Sequence, residues 1–248
     1  MIVDSEQDIK SLKTIGRIVA QTLKTMMEHA KPGMTTAELD DIGLAFLAKE
    51  GAQSAPQVMY SFPGATCISI SPVIAHGIPG DQSLQAGQLI NIDVSAELDG
   101  YFADTGGSMV VASHVPEYEK MIAATQSALV KALQAARAGE PLNGIGKAIQ
   151  EEARQNGYGV IFDLTGHGIG HKLHEEPSEV FNYYKPKDRR MLDEGMVLAI
   201  EPFLTTGKGH VFEEQDGWSL RTIDRTIAAQ FEHTVIVTKD EPIILTLA

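Results

Sequence analysis

"QLINIDVSAELDGYFADTGGSMVVA", residues 88–112, decides how this chain folds. Apolar and polar residues alternate on both sides of Asp99-Gly100, and Asp-Gly between two such runs signals a hairpin with a two-residue turn. With Asp99 and Gly100 as the loop, Ser95 faces Asp104, and Asp93 is the diagonal neighbour of Asp104 on the same face, about 7–8 Å away by backbone. A three-residue loop would instead put the two acids on opposite faces. Asp is depleted in strand interiors, and a buried unpaired carboxylate is costly. Either acid alone reads equally as a satisfied structural group or a strand-edge residue. Two held this close repel unless a proton or a cation lies between them, and a divalent metal is the partner the pairing favours.

Upstream of the hairpin, Ser5 with Asp8 three residues on marks a helix start, and Ile9, Leu12, Ile15, Val19, Leu23 and Met26 continue at helical spacing. "KPG" at 31–33 ends that helix, and Thr35 with Glu38 is a capping-box pattern opening a second one that closes at Gly51. "TCISISPVIAHGIPG" (66–80) reads as a strand broken at Pro72 and then a turn. Downstream, residues 116–137 and 139–159 read as helices, and strands are expected at 159–165, 195–206, 218–224 and 228–238. The order helices, strands, helices, strands, with "KPGMTTAELDDIG" and "AGEPLNGIGKAIQ" at matching places, predicts one α+β domain over 1–248. Its helices cover a curved, mostly antiparallel sheet, and its pseudo-repeat halves are roughly 1–112 and 113–248.

The second half repeats the carboxylate anomaly. Glu201 in "MVLAIEPF" and Glu232 in "AAQFEHTVIVT" are acids flanked by apolar strand. Between the halves lies "TGHGIGHKLHEEP" (165–177), which holds three of the chain's eight histidines. Four carboxylates and one imidazole suit two borderline divalent ions, Mn, Fe, Co or Zn, better than one tetrahedral zinc. A two-metal centre can acidify a water and hold both oxygens of a hydrolytic transition state. Among the histidines, His76 follows a strand, His167 lies between two glycines, and His174 precedes Glu175. His29, His114 and His210 read as solvated, His171 as a surface or rim residue, and His233 as a structural neighbour of Glu232 on the opposite sheet face. His167 and His174 are seven residues apart, so a regular strand would point them to opposite faces. The glycines at 166, 168 and 170 permit the distortion that brings both toward one cleft.

Bulk composition narrows the class. The chain is 43% apolar and 21% charged, ordinary globular material, with a net charge of −13 and no basic run of five. That argues against a nucleic-acid surface. A single cysteine, Cys67, gives an oxidising compartment no support. "MIVDSEQDIKSLK" lacks a signal peptide's basic and apolar regions. No apolar run approaches the roughly 18 residues needed to span a bilayer. A cytoplasmic protein without a membrane or nucleic-acid partner is expected.

Taken together, "AHGIPG", "NIDVSAELDGYFADT", "TGHGIGHKLHEEP", "GMVLAIEP" and "AAQFEHTVIVT" resemble the type I methionine aminopeptidases of the pita-bread metallopeptidase family, in order and in spacing, along nearly the whole chain. The resemblance implies the pita-bread fold and hydrolysis of an N-terminal initiator methionine from peptides and nascent chains by hydroxide bound to two divalent ions. It implies metal ligands at Asp93, Asp104, His167, Glu201 and Glu232, with Asp104 and Glu232 bridging and Glu201 also the general base. His174 would hydrogen-bond the scissile peptide and its tetrahedral intermediate, and His76 would stand near the substrate amine. Phe62, Cys67, His76 and Trp218 match positions lining the methionine pocket. Without the resemblance, Phe62 and Cys67 read as core and Trp218 as a lone sheet-face aromatic.

The chain departs from the family at Leu173, where Phe is common, at Tyr60, where histidine is often found, and at Ser71-Pro72, where Asn-Glu is common. It has neither a zinc-finger extension nor an inserted helical region, so the compact bacterial type is the nearer match. A monomer is the family expectation, and transient ribosome association leaves no basic patch in the sequence. Two other readings share the pattern. Aminopeptidase P and prolidase have the same fold and metal set, usually behind an extra N-terminal domain. Non-catalytic pita-bread binding proteins lack the ligands that this chain carries.

Overall fold

Ser5 starts the first helix through the hydrogen bond its position predicts: in the computed structural model, which describes residues 1–248, its Oγ accepts from the Asp8 amide at 3.1 Å. Helix α1 runs Glu6–His29 and α2 Thr36–Lys49, the latter opened by the full Thr35–Glu38 capping box. Then come β1 (Gln53–Ser54), α3 (Ala55–Tyr60), β2 (Cys67–Ile70), β3 (Val73–Ala75), β4 (Leu89–Leu98) and β5 (Tyr101–Val110). Helices α4 (Pro116–Ala135) and α5 (Asn143–Gln155) open the second half. It continues with β6 (Gly159–Val160), β7 (Thr165–Gly168), β8 (Glu175–Phe181), β9 (Val197–Ile200) and β10 (Phe203–Thr205). The last strands are β11 (Val211–Glu213), β12 (Leu220–Thr222), β13 (Ala228–Gln230), β14 (His233–Ile236) and β15 (Ile243–Ile244).

The β4–β5 hairpin has the expected register: Leu98 pairs with Tyr101, Ser95 with Asp104 and Asp93 with Gly106. Asp99 and Gly100 both have positive φ, 54° and 81°, as a tight two-residue turn between right-twisted strands requires. Alternation then sorts the faces. Ile90, Ile92, Val94, Ala96 and Ala103 pack with Ile15, Ile18 and Val19 of α1 and with Leu39 and Leu47 of α2. Each fully buried Ile, Leu or Val among them is worth about 1.5–3 kcal/mol. Asn91, Asp93, Ser95 and Asp104 take the other face by the same period of two. The second edge of β4 is shared, pairing with β2 (Cys67 opposite Asp93) and then with β1.

In the second half α4 and α5 cover a five-stranded sheet ordered β15-β14-β9-β7-β8, burying Leu129, Ile145 and Ile149 against Leu198, Ile200 and Val235. Two three-stranded sheets, β13-β10-β6 and β11-β12-β3, complete the fold, and every ladder is antiparallel. Strand β5 is tied to β14 and to the segment joining β13 and β14. Asp104 N donates to Thr234 Oγ1 at 2.9 Å, Thr234 Oγ1 donates to Asp104 O at 2.7 Å, and Thr105 Oγ1 donates to Glu232 O at 2.9 Å. No helix is long and apolar enough to cross a membrane.

Three expected strands are interrupted. The run 195–206 breaks at Glu201-Pro202, where proline has no N–H to give a ladder, and 228–238 breaks at Phe231-Glu232. Each break passes the chain from one sheet to another, so Glu201 and Glu232 stand at junctions rather than inside strands. The run 159–165 is likewise divided between β6 and β7, and these join different sheets. Unanticipated are the six-residue helix α3, capped by Ser54, and strand β8, which covers the end of the histidine-rich stretch.

Candidate metal centre

Five side chains converge on one cavity. Asp93 and Asp104 come from one face of the β4–β5 hairpin, His167 from β7, and Glu201 and Glu232 from the two junctions. His167 Nε2 lies 3.7 Å from Glu201 Oε1 and 4.0 Å from Asp104 Oδ2. Asp104, His167 and Glu232 each present a donor atom within 4.8 Å of the other two. All five border one cavity of about 260 Å³. His76, His174, Phe62, Cys67 and Trp218 line the same cavity, so every residue that the sequence marked for the site meets there.

The electrostatics of this cluster are unfavourable as it stands. Burial, and then repulsion from neighbouring acids, pushes the carboxyls of Asp104, Glu201 and Glu232 well above the usual range. Burial also drives His167 down to about 3, so its imidazole is neutral and able to bind a cation. Its Nδ1 lies 2.9 Å from Gly168 O, which leaves Nε2 facing the acids. Asp104 Oδ1 and Glu232 Oε1 are buried with no hydrogen-bond partner. Buried polar atoms are almost always satisfied, so two orphaned carboxylate oxygens beside a neutral imidazole are what a cation site requires. The donor set, oxygens with one imidazole nitrogen, fits borderline divalent ions.

Glu232 is held by residues outside the expected set. Its Oε2 accepts from Gln230 Nε2 at 3.0 Å, and Gln230 Oε1 accepts from Asn91 Nδ2 at 2.7 Å. Ser108 Oγ accepts from the Gln230 amide at 3.0 Å and donates to its carbonyl, also at 3.0 Å. Space for the Gln230 amide exists because residue 106 is glycine: a Cβ there would lie 2.6 Å from Gln230 Oε1. This relay leaves Glu232 Oε1 free toward the cavity.

The stretch 165–177 forms a strand, a turn and the start of a second strand. Gly166 and Gly168 allow close approach, since a Cβ on either would meet a neighbouring carbonyl oxygen at 2.3 or 2.4 Å. Gly170, at φ +148°, turns the chain. Glu175 closes the turn, its Oε1 accepting from the amides of His171 (2.6 Å) and Lys172 (2.7 Å) and its Oε2 from the Met1 ammonium (2.6 Å). The histidine rings of 167 and 174 thereby come to 4.1 Å between centroids. His171 is exposed beside Tyr101 and is not among the residues lining the cavity. His233 is tied to Thr246 Oγ1 at 2.8 Å, and burial lowers it to about 4.

At the other end of the cavity Phe62 meets Trp218 edge-on, centroids 5.1 Å apart at 84°. Strand β12 pairs with β3, which brings the Trp218 segment beside His76. Cys67 is buried, and burial pushes its thiol well up, so it is an apolar wall and not a nucleophile. Pro56, Ser95, Tyr60 and Leu173 also line the cavity. Sequence reasoning passed over Pro56 and Ser95 as lining, although Ser95 follows from its register opposite Asp104.

The model of metallopeptidase family M24 matches residues 10–239. Methionine aminopeptidase 2 of Bacillus subtilis (strain 168) is 48% identical over 247 residues, covering 99% of both chains. Among solved structures, methionine aminopeptidase from Rickettsia prowazekii superposes with a TM-score of 0.94 at 38% identity, covering 100% of each chain. The enzyme of that name from Thermotoga maritima gives 0.95 at 30% identity, again over 100% of each.

Proposed function

The chain belongs to metallopeptidase family M24, and on that premise we propose that it is a methionine aminopeptidase, a metal-dependent hydrolase that removes the N-terminal methionine of peptides and nascent proteins. The observation that carries the reading is the common cavity. Five potential ligands, two of them with orphaned oxygens, share it with an aromatic and thiol-lined end suited to a thioether.

In this reading Asp93, Asp104, His167, Glu201 and Glu232 would hold two divalent ions, with Asp104 and Glu232 serving both. When bound, these would supply a more acidic water and polarisation of the scissile carbonyl. Glu201 takes the proton of the attacking water and passes it to the leaving amine nitrogen as the peptide C–N bond breaks. His174 donates to the peptide oxygen as charge builds there, and His76 faces the substrate amine. Phe62, Cys67 and Trp218 enclose the methionine side chain. The Gln230–Asn91 relay keeps Glu232 aimed at the centre. A cytoplasmic location goes with this reading.

Purified protein supplied with Co or Mn should release methionine from Met-Ala-Ser and leave Ala-Pro peptides intact. Cleavage of Ala-Pro peptides would favour a prolidase-like specificity, and no release from either would overturn the assignment.

A further inference from the structure

Tyr60 ends α3 at the mouth of the cavity, and its hydroxyl lies 2.6 Å from His174 Nδ1. Ser61 follows in the left-handed region at φ 56°. That turn separates its neighbours: Phe62 enters the cavity, 4% exposed, while Tyr60 stays at the rim, 42% exposed. The Tyr60 and His174 rings sit 5.6 Å apart and tilted by 54°, so the phenol reaches His174 from the solvent side. Tyr60 is also one of the positions where the sequence departs from the family pattern.

A neutral imidazole has one donor and one acceptor nitrogen, and whichever partner it finds at Nδ1 dictates the state of Nε2. A phenol keeps its proton at neutral pH, with an ordinary pKa near 10, and burial raises that of Tyr60 further. The phenol O–H is therefore a steady donor. We propose that Tyr60 is a positioning residue, whose hydroxyl donates to His174 Nδ1 and so holds the imidazole proton on Nε2, facing the substrate. The inference rests on the aminopeptidase reading, in which His174 must donate to the peptide oxygen. No covalent step is involved; the phenol proton stays on oxygen throughout.

Two measurements test it. In ¹⁵N-labelled protein, metal-free and zinc-loaded, two-bond ¹H–¹⁵N correlations should show His174 with a bare Nδ1 and a protonated Nε2. The His174→Ala variant assigns the signals, and Tyr60→Phe should move the pattern toward a mixture of tautomers. Wild-type His174 protonated at Nδ1 overturns the proposal, because Tyr60 would then be the acceptor. In steady-state kinetics on Met-Ala-Ser, Tyr60→Phe should lower kcat about 3- to 10-fold, the worth of one ordinary hydrogen bond, with KM within about twofold. The effect should vanish when His174 is already alanine. An unchanged kcat, a loss carried by KM, or an equal loss in the His174→Ala background overturns it. If wild-type protein releases no methionine, the aminopeptidase reading fails, while the tautomer measurement still decides the hydrogen bond.

Discussion

Gly106→Ala should perturb the proposed metal centre without altering any of its five proposed ligands. Gly106 faces Asp93 across the hairpin, and its carbonyl accepts from the Glu232 amide at 3.0 Å. A Cβ there would stand 2.6 Å from Gln230 Oε1 and 2.8 Å from Nε2, where ordinary contact begins at 3.4 Å. The amide must therefore retreat by about 0.8 Å. It has no slack. Gln230 is 1% exposed and its bonds to Asn91 and Glu232 measure 2.7 and 3.0 Å, so the same movement takes both to the edge of hydrogen-bonding range or past it. Leaving these buried groups poorly paired costs about 2–4 kcal/mol of stability. Freeing Glu232 from its donor should weaken metal binding about 10- to 100-fold, the usual effect of removing a ligand's hydrogen-bond partner. Chemical denaturation of the chelator-treated protein reads the first quantity, and competition with a chromophoric chelator reads the second. Adding Gln230→Ala should relieve the clash and restore part of the stability, with metal affinity still low because the donor to Glu232 is gone. A Gly106→Ala protein that binds metal as tightly as wild type would refute the argument that this relay aims Glu232.

Phe62→Ala removes the edge-on partner of Trp218 and should raise KM for methionyl peptides about 3- to 10-fold with a smaller effect on kcat, read by steady-state kinetics. Gly16→Ala would set a Cβ 2.4 Å from the Leu245 carbonyl oxygen. It should cost about 1–3 kcal/mol by thermal or chemical denaturation, since the atom it meets is backbone held by its own bond to Thr234 and cannot swing aside. The Asp8 carboxyl is held down to about 2, first by the Tyr101 hydroxyl donating at 2.7 Å and also by Ser5 and Asp4. A carboxyl lowered by folding lends stability that is complete above its unfolded value of 3.8 and is lost as pH falls from there toward 2. Asp8→Asn should flatten that part of the stability–pH curve in denaturant titrations.

The hairpin was legible because two independent signals agreed: Asp-Gly demanded a two-residue turn, and the alternation demanded that Asp93 and Asp104 share a face. The caps at Ser5 and Thr35 were legible because capping is a local hydrogen bond. The site residues became a set once five motifs were read together. What the sequence concealed has physical causes. Strand β8 contains Pro177, which argues against a strand interior, but β8 is a sheet edge where a missing N–H costs little. Helix α3 is too short for a 3.6-residue period to register, although Ser54 and Pro56 are ordinary helix-start residues. Glu201 and Glu232 look like strand residues because apolar neighbours flank them, and only the change of sheet at each position shows a junction. The Asn91–Gln230–Glu232 relay and the Tyr60–His174 contact join residues 139 and 114 positions apart, pairings that no local pattern encodes.

The central claim is that these five ligands make a metal-dependent aminopeptidase, and methionine release from Met-Ala-Ser by chelator-stripped protein tests it most directly. The stripped wild type should release no methionine and should recover on addition of Mn or Co. Asp104→Asn, folded as judged by circular dichroism, should stay inactive with metal present. Release by the stripped protein, or wild-type turnover by Asp104→Asn, would contradict the claim.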